Sequence, residues 1–188
     1  MTDKALVLVD MDGVLADWGA AYDAGLNFRP GETRGIPRHA EQRGFDLFEG
    51  LTEYQSSLVR EVMDELDYFY LDPIPGAIEA VQSMREYGHE VMICTSPWLS
   101  NPSCLNDKID WVCKHLGEGW EDRVIITKDK TIMLGDVLID DKPNIKGHTT
   151  PTWTQVIFDQ PYNQDRQDLP RLRTWDDWDN STLGGARP

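Results

Sequence analysis

Four aspartates stand directly after short apolar runs, where their carboxylates could act together: Asp10 and Asp12 after Leu6–Val9, and Asp140 and Asp141 after Val137–Ile139. Carboxylate oxygens without histidine or cysteine neighbours form a hard oxygen site, which suits Mg²⁺. An aspartate can also attack phosphorus as a nucleophile, or move a proton as a general acid and base. These residue types in this pattern therefore favour metal-assisted phosphoryl transfer.

Two other apolar runs end in groups that could hold a phosphate. Thr95 and Ser96 follow one run, and Lys128 and Lys130 follow another. Hydroxyl and ammonium groups donate hydrogen bonds to phosphate oxygens. Each set alone has an ordinary explanation, since Thr-Ser-Pro is a common turn and surface lysines are solvated. The inference becomes specific because four such sets occur at the ends of four predicted strands.

The four sets can work together only if their strands end at one edge of a sheet. The apolar runs are too short for helices and indicate buried strands, and helices are predicted between them over 77–87 and 105–116. This alternation indicates an α/β fold with a three-layer, Rossmann-like parallel sheet. Ligands of such sheets bind at the carboxyl ends of the strands, which is where all four sets fall.

A long block separates the first strand from the next α/β unit. Residues 18–72 exceed an ordinary connection, and Thr52-x-x-Gln55 has the form of a capping box at a helix start. We predict a small, mostly helical cap over 18–72, inserted after the first strand. Residues 1–17 and 73–180 then form the α/β core, and 181–188 a loose tail. The alternative is a helical excursion with no role at the site.

The composition restricts the class of partner. The chain of 188 residues carries 33 acidic and 18 basic side chains, a net charge of -15, which argues against a nucleic-acid binder. No apolar run is long enough for a membrane span, and no signal segment precedes the first strand. Three cysteines without a paired framework favour a reducing, cytoplasmic setting. A homodimer is compatible with the sequence, which does not determine the oligomeric state.

Six strings carry a resemblance to a known family: DMDGVLADW, RGF, PIPGA, CTSP, DKT and LIDDKP. Together they resemble the 5'(3')-deoxyribonucleotidases of the haloacid dehalogenase-like (HAD) phosphohydrolase superfamily, and the resemblance extends from Leu6 to about Trp178. It implies a HAD-like core and a Mg²⁺-dependent 5'-nucleotidase acting on nucleoside monophosphates, with pyrimidine deoxynucleotides favoured.

The resemblance also implies roles for the residues that match its motifs. Asp10 takes the place of the nucleophile, which forms an aspartyl phosphate, and Asp12 that of the general acid and base. Thr95 matches a phosphate ligand, with Ser96 beside it. Lys130 matches the motif lysine, and the nearby Lys128 is expected to be a surface residue.

The acidic pair at the fourth strand matches the metal-binding motif of the family. The resemblance favours Asp141 as the direct Mg²⁺ ligand and Asp140 as a supporting residue, with Asp10 and Asp12 completing the metal site. Asp136, which follows a glycine, is a competing match to the acidic motif. Because a strand follows Asp136, we expect that residue at the opposite end and assign it a structural role.

The substrate's base requires flat apolar walls. Trp18, Phe45 and Leu47 are the candidates for these walls. The positions of Trp18 and Phe45 resemble positions that line the base pocket of the family. Asp46 and Trp98 depart from the residues expected there, which leaves base preference open.

Two rival functions remain open from the sequence. A HAD phosphatase could act instead on a sugar phosphate or another small phosphate ester, or on a polynucleotide end. A nucleotide- or metal-binding protein without activity could use the same fold, but it would be expected to lack Asp10, Asp12 or Lys130, and all three are present.

Overall fold

Six parallel strands form one sheet in the order β3-β2-β1-β4-β5-β6. The strands are β1 Leu6–Val9, β2 Glu90–Thr95, β3 Val124–Ile126, β4 Val137–Asp140, β5 Thr154–Phe158 and β6 Arg171–Leu172. The structure is a computed structural model that describes residues 4–29 and 31–179. The predicted loose tail, 181–188, lies outside the described residues. The expected Rossmann-like parallel sheet is confirmed.

Four α-helices accompany the sheet: α1 Trp18–Asn27, α2 Glu53–Glu65, α3 Ala77–Glu86 and α4 Cys104–Leu116. The helices α3 and α4 match the predicted ranges to within a residue at either end. Helix α1 was not predicted separately. Its start is stabilised because Oδ1 of Asp17 accepts a hydrogen bond from the Ala20 amide at 2.9 Å. At α2, Thr52 and Gln55 form the predicted capping box.

The two faces of the sheet are covered differently. Val7 and Val9 of β1 point into the larger apolar cluster, which includes helix residues such as Trp111. Leu8 points to the other face, into a smaller cluster that contains Trp153. No long helix lies between β3 and β4 or between β4 and β5. Loops and short helical turns therefore cover much of the face of the sheet that carries Leu8.

The segment 18–72 leaves the core and returns to it at one place. The Asp17 amide donates to the carbonyl of Asp72 at 2.8 Å, and the Ile74 amide donates to the carbonyl of Leu15 at 2.8 Å. The chain that enters the segment and the chain that leaves it are thus hydrogen-bonded to each other. Helices α1 and α2 pack together within the segment. Within the described ranges, no helix is both long and apolar enough to span a membrane.

Candidate active site

The chain reverses direction directly after β1, in a turn that presents two aspartates. The carbonyl of Met11 accepts from the amides of Leu15 and Ala16, each at 2.8 Å. Gly13 adopts φ +72°, and a Cβ there would lie 3.2 Å from both Oδ2 of Asp141 and the Tyr162 hydroxyl. Glycine is therefore required for both its backbone conformation and this close approach.

Two residues from the far end of the chain hold this turn. The Gln160 side chain donates to the carbonyl of Gly13 at 2.6 Å, and the Trp175 indole donates to the carbonyl of Val14 at 2.8 Å. Both bonds are buried. The turn that carries Asp10 and Asp12 is therefore fixed by residues about 150 positions away.

Lys130 joins two of the aspartates. Its Nζ lies 2.8 Å from Asp10 Oδ1 and 2.5 Å from Asp140 Oδ2. Burial acts to lower the pKa of Lys130, but the carboxylates of Asp10 and Asp140 outweigh it and raise that pKa. The lysine sits on a short helical turn, Lys130–Ile132, whose start is capped by Asp129. Lys130 is thus a fixed, fully charged cation beside Asp10.

A second buried lysine, Lys108 of α4, was not predicted from the sequence. Its side chain is 0% exposed, and Nζ donates to Asp12 Oδ2 at 2.5 Å and to Thr95 Oγ1 at 2.9 Å. The ammonium group also lies 4.9 Å from the centre of the Tyr68 ring. The signal was a lysine on the apolar face of α4, three positions before the buried Trp111.

Asp12 is held differently from Asp10. Burial raises the pKa of Asp12, and the charge of Lys108 opposes that shift. Its Oδ1 is buried and has no hydrogen-bond partner among the residues that the structure describes. One oxygen of Asp12 is therefore fixed and the other is available to a ligand.

Three carboxylates form a cluster that fits a divalent cation. Oxygens of Asp10, Asp140 and Asp141 all lie within 4.8 Å of one another, and all three residues are buried. Burial, and then repulsion from Asp140 and Asp10, raises the pKa of Asp141 well above its ordinary value. Lys130 balances only part of this charge. An all-oxygen donor set with surplus negative charge is the chemistry that Mg²⁺ requires.

The neighbouring pair Asp140 and Asp141 both reach the cavity because β4 ends at Asp140. Asp140 uses both oxygens within the protein, accepting from Lys130 and from the Lys142 amide. Asp141 Oδ2 accepts a hydrogen bond from the Tyr162 hydroxyl. The Asp12 carboxylate lies outside the three-residue cluster. Its expected part in metal binding stays a prediction, as does the division of roles between Asp140 and Asp141.

The two hydroxyls after β2 lie in different positions. Ser96 lines the cavity, and its Oγ donates to the carbonyl of Thr127 at 2.9 Å. Thr95 is fully buried behind it and accepts from Lys108. Lys128 also lines the cavity but is exposed, in contrast to the buried Lys130.

The four strand-end sets meet at a cavity of about 290 Å³. Its lining includes the four aspartates and Lys130 on one side. On the other side lie six residues of the segment 18–72, namely Trp18, Gln42, Phe45, Leu47, Met63 and Tyr68. The three residues expected to contact a base are thus brought to the same space as the aspartates.

Two sequence departures have identifiable contacts. The Trp98 indole donates to Asp64 Oδ1 at 2.6 Å, so this residue joins the β2–α4 loop to α2. Asp46 Oδ1 accepts from the Phe48 amide within its own turn.

Asp136 lies at the opposite end of the sheet, where its Oδ2 accepts a hydrogen bond from the Leu6 amide at 2.7 Å. That contact is the structural role expected of Asp136.

The fold is shared with HAD hydrolases. A solved HAD hydrolase, family IA, variant 3, from Entamoeba histolytica superposes with a TM-score of 0.55 over 96% of this chain and 97% of its own, at 12% identity. Similarity at this identity establishes the fold alone.

Sequence relatives identify the family more narrowly. Residues 4–184 match the family described as "5' nucleotidase, deoxy (Pyrimidine), cytosolic type C protein". The human cytosolic-type 5'(3')-deoxyribonucleotidase is 40% identical over 94% of this chain and 92% of its own. The human mitochondrial 5'(3')-deoxyribonucleotidase is 36% identical over 97% of this chain and 83% of its own. The chain belongs to the 5'(3')-deoxyribonucleotidase family of HAD-like phosphohydrolases, and it is a phosphoric monoester hydrolase.

Proposed function

We propose that this phosphatase is a Mg²⁺-dependent 5'-nucleotidase that hydrolyses pyrimidine deoxyribonucleoside monophosphates through an aspartyl phosphate on Asp10. The observation that carries the proposal is the position of Asp10. Its carboxylate lies 2.8 Å from the ammonium group of Lys130 and opens into a cavity with aromatic side chains opposite.

In the first half of the reaction, a carboxylate oxygen of Asp10 attacks phosphorus. The bond between phosphorus and the 5'-oxygen of the deoxyribose breaks, and that oxygen takes a proton from Asp12. Lys130 holds Asp10 in place and stabilises negative charge on the phosphoryl oxygens. Ser96 contributes a hydroxyl at the cavity wall, and Thr95 supports the same region from behind.

In the second half, Asp12 accepts a proton from a water molecule, whose oxygen attacks phosphorus. The bond between phosphorus and Asp10 breaks, and inorganic phosphate leaves. Lys108 positions Asp12 for both proton transfers, since it fixes one carboxylate oxygen and leaves the other available. The two aspartates are thereby assigned different tasks by the lysines that contact them.

Asp10, Asp140 and Asp141 are the residues proposed to hold Mg²⁺, with Asp12 as a further candidate. Bound there, the cation supplies positive charge next to the phosphoryl oxygens. Asp141 is the better direct ligand because Asp140 already uses both oxygens, with Lys130 and with the Lys142 amide.

Removal of the metal with a chelator should abolish activity, and Mg²⁺ should restore it. Ca²⁺ should restore activity poorly, because its coordination shell is larger and looser. Full activity in excess chelator would contradict the metal role.

The segment 18–72 is proposed as the cap that selects the nucleoside over the core of 1–17 and 73–180. Trp18, Phe45 and Leu47 would flank the base. A 2'-hydroxyl against this apolar wall would be buried without a partner, which costs roughly 1–3 kcal/mol and favours deoxy substrates about tenfold or more. The names of the matching family and relatives support the same substrate class.

The direct test is hydrolysis of a panel containing dUMP, dTMP, UMP, dGMP and a simple sugar phosphate. We expect the highest kcat/KM for dUMP and dTMP, and a hydroxylamine-sensitive phosphoenzyme in the wild type. Asp10→Asn should abolish both turnover and phosphoenzyme, because the amide is similar in shape but a poor nucleophile. If the sugar phosphate is the best substrate, or Asp10→Asn keeps more than about a tenth of kcat, the proposal is wrong.

A further inference from the structure

Three lysines at the cavity have no task in the chemistry described above. Lys128, Lys142 and Lys146 all line the cavity, and all three are exposed. Across residues 4–29 and 31–179, no acidic side chain forms an ion pair with any of them. These three residues are called the lysine rim below.

The rim lysines face a common space. The Lys142 ammonium group lies 5.0 Å from the centre of the Phe45 ring, which belongs to the opposite wall. Burial lowers the pKa of Lys128, and repulsion from Lys108 and Lys142 adds to that shift. Lys128 and Lys142 are therefore neighbouring positive charges, and Lys146 lines the same cavity. An anion bound between these lysines would lower their mutual repulsion.

The charges deeper in the cavity explain why a further cationic group is needed. Four carboxylates reach the site, and two of their negative charges are offset by Lys108 and Lys130. A bound divalent cation would offset the other two. With Asp12 carrying the proton that it gives to the leaving oxygen, a single positive charge then remains for the incoming phosphate monoester, which itself carries nearly two negative charges at pH 7.

The charge of the whole chain makes this shortage worse. A net charge of -15 repels an anionic substrate at long range. Only a local positive field at the cavity mouth can reverse that repulsion. The rim lysines are the unpaired cations that line this cavity within the described part of the chain.

We propose that the lysine rim is an anion-capture site, which draws the phosphate monoester dianion into the cavity and offsets its charge once it is bound. This inference rests on the proposed nucleotidase function. Because the rim acts on capture and binding, it raises kcat/KM and leaves kcat nearly unchanged. Because the rim is exposed, its effect decreases as ionic strength rises.

The test compares two triple variants of equal net charge. One carries Lys128→Gln, Lys142→Gln and Lys146→Gln in the rim. The control carries Lys4→Gln, Lys114→Gln and Arg173→Gln, three exposed positions that do not line the cavity. Both are measured for kcat and kcat/KM with dUMP across a series of salt concentrations, and thermal melting verifies that both fold.

At low salt, kcat/KM of the rim variant should fall about 10- to 100-fold, with kcat within about twofold of wild type. The control variant should lose less than about twofold in kcat/KM, because its charges act from a greater distance. The decline of kcat/KM with salt seen in the wild type should be much shallower in the rim variant. An unchanged kcat/KM, an unchanged salt dependence, or an equal loss in kcat would each overturn the proposal.

A binding experiment separates this inference from the proposed function. Calorimetry with inorganic phosphate and Mg²⁺ should give weaker phosphate binding in the rim variant than in the wild type and the control. If the wild type hydrolyses no nucleotide but binds phosphate more tightly than the rim variant does, the proposed nucleotidase function is wrong and the anion-capture role of the rim is supported. Equal phosphate affinity in all three proteins would overturn the proposal that the lysine rim captures anions.

Discussion

The two walls of the cavity are built in different ways. On the strand-end wall, Asp10, Asp12 and Asp140 are each held by a buried lysine at 2.5–2.8 Å. On the wall from segment 18–72, Trp18, Phe45 and Leu47 make apolar and aromatic contacts, such as the stacking of Trp18 on Tyr22 at 5.1 Å. Directed ion pairs fix positions closely, whereas apolar packing tolerates exchange of similar shapes.

Under the proposed function, the strand-end wall carries out the reaction and the wall of 18–72 recognises the nucleoside. Substitutions of the buried, ion-paired residues on the strand-end wall should decrease kcat for every substrate, because these residues are proposed to act on phosphorus or to position the groups that do. Substitutions on the wall of 18–72 should instead change KM, and should do so unequally among substrates. Single substitutions on each wall test that division.

The strongest effect is expected at Lys130, the lysine beside Asp10. Lys130→Ala removes a buried cation from Asp10 and Asp140 and should lower kcat by ~10²–10³-fold for all substrates. Lys128→Ala, two positions away and exposed, is the matched control and should leave kcat within about twofold. Steady-state kinetics with dUMP and UMP checks both variants. If both variants lost kcat to a similar extent, the role assigned to Lys130 beside Asp10 would be contradicted.

Lys108 should have the next largest effect, because it fixes Asp12 without reaching the cavity itself. Lys108→Met keeps an unbranched side chain that is one atom shorter and uncharged, which leaves Asp12 without its ion pair, so we expect kcat to fall about 10-fold or more. Lys114→Met, an exposed lysine on the same helix, serves as control. The pH profile of kcat gives a second readout, since it should change only in Lys108→Met. An unaltered profile would show that Lys108 is not a positioning residue.

Tyr162 contacts residues of both walls, and its substitution should weaken Mg²⁺ binding more than binding of the nucleobase. Its hydroxyl donates to Asp141, and its ring lies edge-on to Phe45 at 5.6 Å between ring centres. Tyr162→Phe should weaken Mg²⁺ binding about tenfold, as measured by calorimetry in the absence of substrate. Tyr22→Phe, at another buried tyrosine, should leave Mg²⁺ affinity unchanged. Equal Mg²⁺ affinity in both variants would show that the hydroxyl does not orient Asp141.

The smallest effect is expected on the wall from segment 18–72, which is proposed to contact the base. Phe45→Ala should raise KM for dUMP and dTMP by several-fold at about unchanged kcat, because a half-exposed ring contributes roughly 1 kcal/mol of apolar contact. KM for a sugar phosphate should not change, which makes that substrate the control. A loss of kcat, or an equal change in KM for both substrate types, would break the division between the two walls.

The strand-end residues were predictable because they follow local patterns. An apolar run followed by a polar set is visible in one stretch of sequence, and parallel strands bring such sets to one edge. The positions of Asp10, Ser96 and Asp141 at the cavity follow from that rule. The boundaries of α3 and α4 were predictable for a similar reason, since they depend on apolar periodicity and local stop signals.

Long-range contacts were not predictable in the same way. Lys108 is 96 residues from Asp12, and Tyr162 is 21 residues from Asp141. Neither residue type suggests its partner, because lysines on helices are mostly solvated and tyrosines mostly packed. The strand β6 was missed because two residues, Arg171 and Leu172, carry no periodicity. These features depend on tertiary packing, which a single sequence does not display.

The bonds from Gln160 and Trp175 to the turn after β1 have a consequence for synthesis. The turn that carries Asp10 and Asp12 leaves the ribosome early, but its two partners are added 147 and 161 residues later. At ordinary elongation rates that interval is roughly 10–30 s. A nascent chain that ends before Gln160 contains Asp10 and Asp12 but neither of these two contacts to their turn. The turn that carries Asp10 and Asp12 is therefore synthesised early and fixed late.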